Sequence, residues 1–275
     1  MVPVAGGLGA LVLVATAPAG DRIGLAAAAV VAAAAGLSAT SIGVFGGVLV
    51  PGLLLLGVPP AVAAPLSLLL QVVVIPLGAT THAAVGHVKR AITVPLIVGG
   101  VTGSIAGALL ASSVPADLVA RAVSFVIVVV GLVVLANVRN GYAAGRVDHE
   151  QVHPGTIGSI GGVAGFASGI SGAGWGPIGV KLLILSGLEP RHAIGSSLVG
   201  RVAMAVAAIA TYAAVAIGRG GIAVEPRLFA VLLCASAAAM VPGTMVIAKL
   251  GRGRAAVGIA ILSIALALPT LVGGP

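Results

Sequence analysis

Carboxylates are nearly missing from this chain: Asp and Glu number 6 among 275 residues, against 14 Lys and Arg, and charged residues of both signs make up only 7%. A soluble globule needs a far more charged surface, so the chain cannot be arranged as one. Cysteine is reduced to Cys234, which excludes an internal disulfide; in an apolar run it reads as a buried thiol. Aromatic residues are 3%, and the basic residues are scattered between apolar segments rather than gathered on a polar face with rings beside them. That distribution excludes nucleic-acid binding despite a net charge of +8. Surplus Lys and Arg in short loops is what the positive-inside rule produces.

What is abundant is apolar sequence, 59% of residues. Helical-length apolar segments are expected at about 2–19, 23–42, 44–58, 61–86, 91–112, 118–138, 155–172, 176–187, 190–217, 228–248 and 254–272. No polar block is long enough for a second, soluble domain. The expectation is an all-α integral membrane protein with a single transmembrane domain over 1–275, multi-pass in the cell (plasma) membrane, its surroundings the lipid bilayer. The first segment, "MVPVAGGLGALVLVATAPAG", has the short apolar core of a signal peptide but no positive start, and reads as a retained extra N-terminal helix.

Two segments, 44–58 and 176–187, each follow a Gly-rich break and are too short for a hydrocarbon core of about 30 Å. They belong to an internal repeat. With the second half shifted by 130 positions, Gly46 meets Gly176, Gly57 meets Gly187, Pro60 meets Pro190, Ala63 meets Ala193 and Ser67 meets Ser197. Repeat 1 is placed at about 23–138 and repeat 2 at about 155–273. The polar link 139–154 holds His149 and His153 beside Asp148 and Glu150, which reads as a solvated loop rather than a metal site. With Lys89 and Arg90 cytoplasmic, two crossings return Arg139 and Arg146 to the same side. A re-entrant hairpin formed by 155–172 and 176–187 then keeps Lys249, Arg252 and Arg254 cytoplasmic as well, as two full crossings also would, though the second segment is short for one; Arg219 and Arg227 fall outside. Each repeat becomes a Gly/Pro-broken short helical hairpin plus three transmembrane helices, and the odd count makes the repeats inverted. That pattern points to a secondary transporter with its site near the midplane.

The broken segment "GISGAGWGPIGVKLL" supplies the site residues. Its glycines permit a sharp break, and Pro177 suits the first turn of a new helix. The unpaired N–H groups of a helix start attract anions. Gly174, Trp175 and Gly176 surround this start, with Gly46 and Gly47 as the first-half counterpart. Lys181, one turn in, leans back toward the break. In the helix that follows, Ser197 and Arg201 are spaced i,i+4, and their repeat equivalents are Ser67 and Gln71. An unpaired cation buried at Arg201 costs about 2.5–3.5 kcal/mol, which an anionic ligand offsets. His82 continues the Gln71 face and is a candidate proton relay; His87 and His192 fall in expected loops. Asp21, Asp117, Asp148, Glu150, Glu189 and Glu225 all sit in loops or helix ends, which argues against a cation site. No cofactor and no metal are expected. The partner is a small anionic substrate, and the oligomeric state stays open, a homo-oligomer included.

On "GVFGGVLVPGLLLLGVPPAVA", "THAAVGHV" and above all "GFASGISGAGWGPIGVKLLILSGLEPRHAIGSS", the chain resembles the sulfite exporter TauE/SafE family. The resemblance runs from about Ala26 to near the end. It implies a multi-helix transporter of two related halves that exports sulfite or other small, often sulfur-containing, organic anions. Relatives with the Gly-Trp-Gly-Pro motif often carry an acidic residue where this chain has Arg201, which leaves the substrate and coupling ion open. Two rivals remain: an anion channel of the same architecture, and an intramembrane serine protease suggested by "GISG" (169–172) with His82 or His192 as base. With 42 glycines in the chain a four-residue match is cheap, so no enzyme is expected.

Overall fold

The computed structural model describes residues 2–42, 44–139, 152–217 and 225–250, and beyond them only 257, 261, 264, 265, 268, 269, 271 and 272. Among the described residues every regular element is helical: α1 (Val2–Ala15), α2 (Arg22–Ile42), α3 (Gly46–Leu55), α4 (Pro60–Ala84), α5 (Arg90–Ser113), α6 (Ala116–Arg139), α7 (Pro154–Ser171), a π-helical turn (Trp175–Val180) continuing into α8 (Lys181–Leu185), α9 (Pro190–Ile217) and α10 (Pro226–Leu250). These lie within a few residues of the expected segments. The helix expected at 254–272 lies mostly outside the described residues, as do Asp148, His149, Glu150, Arg219, Arg252 and Arg254. Among the described residues, four helices hold stretches long and apolar enough to cross a membrane: Arg22–Ala39, Ala61–Ala84, Arg90–Ser113 and His192–Ala216.

Local chemistry sets the helix ends. Pro60, Pro154, Pro190 and Pro226 each open a helix, where a missing N–H costs nothing. The Glu225 carboxylate accepts from the N–H groups of Arg227 (3.0 Å) and Leu228 (2.6 Å) at the start of α10. His153 caps α7, its Nδ1 accepting from the Gly155 N–H at 3.0 Å, so this link histidine serves the backbone.

Two glycines that the 130-residue shift pairs share one backbone form. Gly57 and Gly187 both take positive φ, 80° and 105°, and end α3 and α8. Around them Val58 N–H donates to Leu53 O (3.0 Å) and Leu188 N–H to Leu183 O (3.1 Å), the reversed-turn cap that a glycine beyond a helix end permits.

Where α5 meets α7, small residues face inward, while several large apolar residues of α5 face outward. On α5, Gly100, Ser104 and Gly107 are buried, whereas Val94, Val98 and Leu109 are 48%, 62% and 47% exposed. A Cβ on Gly99, Gly103 or Gly107 would lie 1.9, 2.1 or 2.3 Å from a carbonyl oxygen of α7 (Gly158, Gly162 and Phe166), the close approach of membrane helices with small residues every four positions. Because these pairs advance together along both chains, α5 and α7 run in the same direction. In the corresponding pair, Gly36 of α2 presses on the Ser236 carbonyl of α10. Helices α4 and α9 cross in opposite directions, with Gly78 against Leu198 and Gly195 against His87.

Candidate functional site

The two Gly breaks meet. Gly172, which ends α7 with φ 64°, lies against Gly46, which begins α3; a Cβ on Gly46 would be 2.1 Å from the Gly172 oxygen, and one on Gly172 would be 2.6 Å from Ala64 O of α4. Only glycine fits either position. On the α7 side Ser171 Oγ donates to Ala167 O at 2.6 Å and accepts from the Ala173 N–H at 3.0 Å. On the other side Ser38 Oγ donates to Val44 O. Tyr212 of α9 donates to Gly169 O at 2.7 Å, tying α7 to α9 just before the break.

The Gly172 carbonyl then organises the polar side chains of α4. Ser67 Oγ donates to it at 3.0 Å and Gln71 Nε2 at 2.8 Å; Gln71 Nε2 also lies 3.2 Å from Ser67 Oγ. That leaves Gln71 Oε1 as an acceptor, and Arg201 Nε donates to it at 2.7 Å. Ser67, Gln71 and Arg201 are 0%, 1% and 3% exposed. Gln71 fixes the guanidinium and neutralises none of its charge. Its position, ten residues into the Ala61–Ala84 stretch, sets the group near the middle of that helix.

Trp175 begins the π-helical turn and is 1% exposed, its ring folded over Gly179, where an added Cβ would meet it at 3.1 Å. Its Nε1–H has no hydrogen-bond partner among the described residues, although buried indole N–H groups usually find one. Gly174 is held against Ala167, Gly176 is buried, and Gly47 faces Val44. Helix α3 starts with no side chain capping it, at Phe45.

The structure thus brings together Gly46, Gly172, Ser67, Gln71 and Arg201. It does not bring Ser197 into this group, because its hydroxyl donates to Ile194 O in its own helix at 2.8 Å. Lys181 opens α8, and its side chain lies outside the described residues. His192, expected in a loop, lies in the first turn of α9 and is 7% exposed. With His82 and His87 it forms a cluster that sequence spacing does not reveal, since 110 positions separate His82 from His192. Tyr212 was legible only as the repeat equivalent of His82. The Ser171 proton points at a backbone carbonyl rather than at an imidazole, so the serine lacks the base a nucleophile needs.

The pattern described as "Sulfite exporter TauE/SafE" matches residues 28–269. The chain belongs to this family. It is also 30% identical over 162 residues, 58% of its length, to the probable membrane transporter protein YtnM of Bacillus subtilis (strain 168). That match covers 54% of the relative, so the chain spans about half the length of this curated protein. No solved structure matches the chain. Membership of the TauE/SafE family accords with the lipid-facing exterior of α5, and makes the membrane the solvent in which the Gln71–Arg201 contact is buried.

Proposed function

We propose that this TauE/SafE chain is a secondary transporter that exports small anions, sulfite or related sulfur-containing organic anions, bound near the bilayer midplane where the two breaks meet. The observation that carries this reading is Arg201: a buried guanidinium oriented by a neutral amide, midway along crossing helices, beside two Gly-broken helix starts. A cation buried at that depth favours an incoming anion. The Trp175 Nε1–H donor and Lys181, one turn in, both belong to the second of these broken helix starts.

We read the two halves as inverted repeats. Three observations support this: the matched caps at Gly57 and Gly187, the opposed directions of α4 and α9, and the contact between the equivalent positions Gln71 and Arg201. The shared direction of α5 and α7 favours a topology in which Lys89, Arg90 and the polar link lie on one side, the cytoplasmic one. Rocking of one repeat against the other then exposes the site alternately.

The experiment is uptake of labelled sulfite, thiosulfate and small sulfonates into proteoliposomes, with and without a pH gradient, by wild type, Arg201→Ala and Lys181→Ala. Saturable sulfite flux lost in Arg201→Ala is the expected result. Flux against a gradient excludes a channel, and transport by both variants at wild-type rates overturns the site.

A further inference from the structure

The anion site leaves unexplained the three histidines at the Lys89 end of the α4–α9 crossing. His82 sits in the last turn of α4, His87 just beyond Gly86 (φ 74°), and His192 in the first turn of α9. His82 Nδ1 and His87 Nδ1 are 3.3 Å apart, with ring centroids at 5.3 Å. The His87 and His192 rings meet edge to face with centroids at 6.5 Å, and His192 Nδ1 lies 3.4 Å from Glu189 Oε2.

The backbone clamps this cluster across the crossing. His87 N–H donates to His82 O at 3.0 Å, Lys89 N–H donates to Ser196 Oγ at 3.0 Å, and Gly195 packs so closely on His87 that a Cβ would lie 2.8 Å from its carbonyl oxygen. The turn leaving α4 is thereby fastened to the start of α9, and these are the helices that carry Gln71 and Arg201.

Two imidazole nitrogens at this distance share one proton: whichever Nδ1 is protonated donates to the other. A second proton makes both nitrogens donors and both rings cations, and the bond becomes a repulsion. Among the described residues the charges beside the turn are Lys89 and Arg90 at the start of α5, both positive, and Glu189, which lies against His192. Arg191 is also basic, its side chain lying outside the described residues.

We propose that His82, His87 and His192 form a proton-binding seam: the pair holding one shared proton keeps the turn after α4 seated on the start of α9, and a second proton loosens that turn and opens the Lys89 end toward Arg201. This deepens the transport reading and rests on it, since it assigns protons as the ligand that controls access to that site.

The test uses the full chain in lipid nanodiscs. Histidine-labelled protein is titrated by NMR; His82 and His87 are expected to titrate in two steps separated by more than about one pH unit, and His82 in a single step in His87→Gln. Hydrogen exchange of 85–90 and 190–196, corrected for the intrinsic rate, is expected to lose about tenfold in protection between pH ~7.5 and ~5.5 in wild type. In His87→Gln and in His82→Gln, where an amide bonds in either state, protection should stay within about twofold. A single unsplit titration, or protection that ignores pH in wild type, overturns the seam. Sulfite uptake by the same protein reconstituted in proteoliposomes separates the two readings. A split titration with pH-dependent protection but no uptake supports the seam and removes sulfite as substrate; uptake with an unsplit titration does the reverse.

Discussion

Gln71 and Arg201, 130 residues apart at the same position of the internal repeat, touch each other: Arg201 Nε donates to Gln71 Oε1 at 2.7 Å. On the proposed inverted-repeat reading, this contact lies close to the axis that would relate the two copies, by the same logic that places self-contacts on the axis of a two-fold dimer. The repeat is chemically one-sided there. One copy supplies a cation and the other the amide that orients it.

Loss of the charge should therefore cost more than loss of its support. Arg201→Gln is expected to lower initial sulfite uptake by about 100-fold, since charged hydrogen bonds contribute roughly 1.5–3 kcal/mol. Gln71→Ala leaves the guanidinium in place but loose, and about tenfold is expected. Initial rates over a range of sulfite concentrations in proteoliposomes measure both. Equal losses would show that Gln71 acts on the substrate directly.

The two glycines Gly46 and Gly57 separate contact from conformation. Gly46→Ala forces a Cβ onto the Gly172 carbonyl, a backbone atom that cannot turn away, and should lower stability by about 1–3 kcal/mol and abolish uptake. Gly57→Ala has open space but φ 80°, so it should lower stability by about 1 kcal/mol and leave uptake intact. Thermal unfolding in detergent alongside uptake distinguishes them.

The α5–α7 seam offers a test within one helix. Gly165→Ala places a Cβ 2.3 Å from Gly100 O and should destabilise by about 1–3 kcal/mol. At Gly162 the nearest atom is 3.7 Å away, so Gly162→Ala gains helix propensity of up to about 1 kcal/mol without a clash. Melting temperatures of opposite sign are expected.

What could be read in advance was local. Pro60 and Pro190 open helices wherever they stand, Gly57 and Gly187 close them, and the spacing of 130 needs only the order of residues. Gln71 and Arg201 could be matched as equivalents, but that they bond to each other depends on the crossing of α4 and α9, which no sequence spacing encodes. Ser197 shows the limit of face arguments: it shares a face with Arg201, yet its hydroxyl turns back to Ile194 O, a bond any helical serine can make. The histidine cluster was hidden for the same reason as the Gln71–Arg201 bond, its members being brought together by the tertiary crossing.

Trp175 yields the most discriminating outcome, because it is the chain's single tryptophan and global replacement of tryptophan alters only this position. Its Nε1–H is buried without a partner among the described residues. Substituting benzothienylalanine, of nearly the same shape with sulfur in place of N–H, should leave the melting temperature unchanged or slightly raised, since an unmatched buried donor is removed. If the donor is reserved for an anion, KM for sulfite should rise by about tenfold or more while the fold is untouched. A fall in melting temperature with KM unchanged would instead make the indole a packing group, and would confine the positive end of the site to Arg201 and the helix starts.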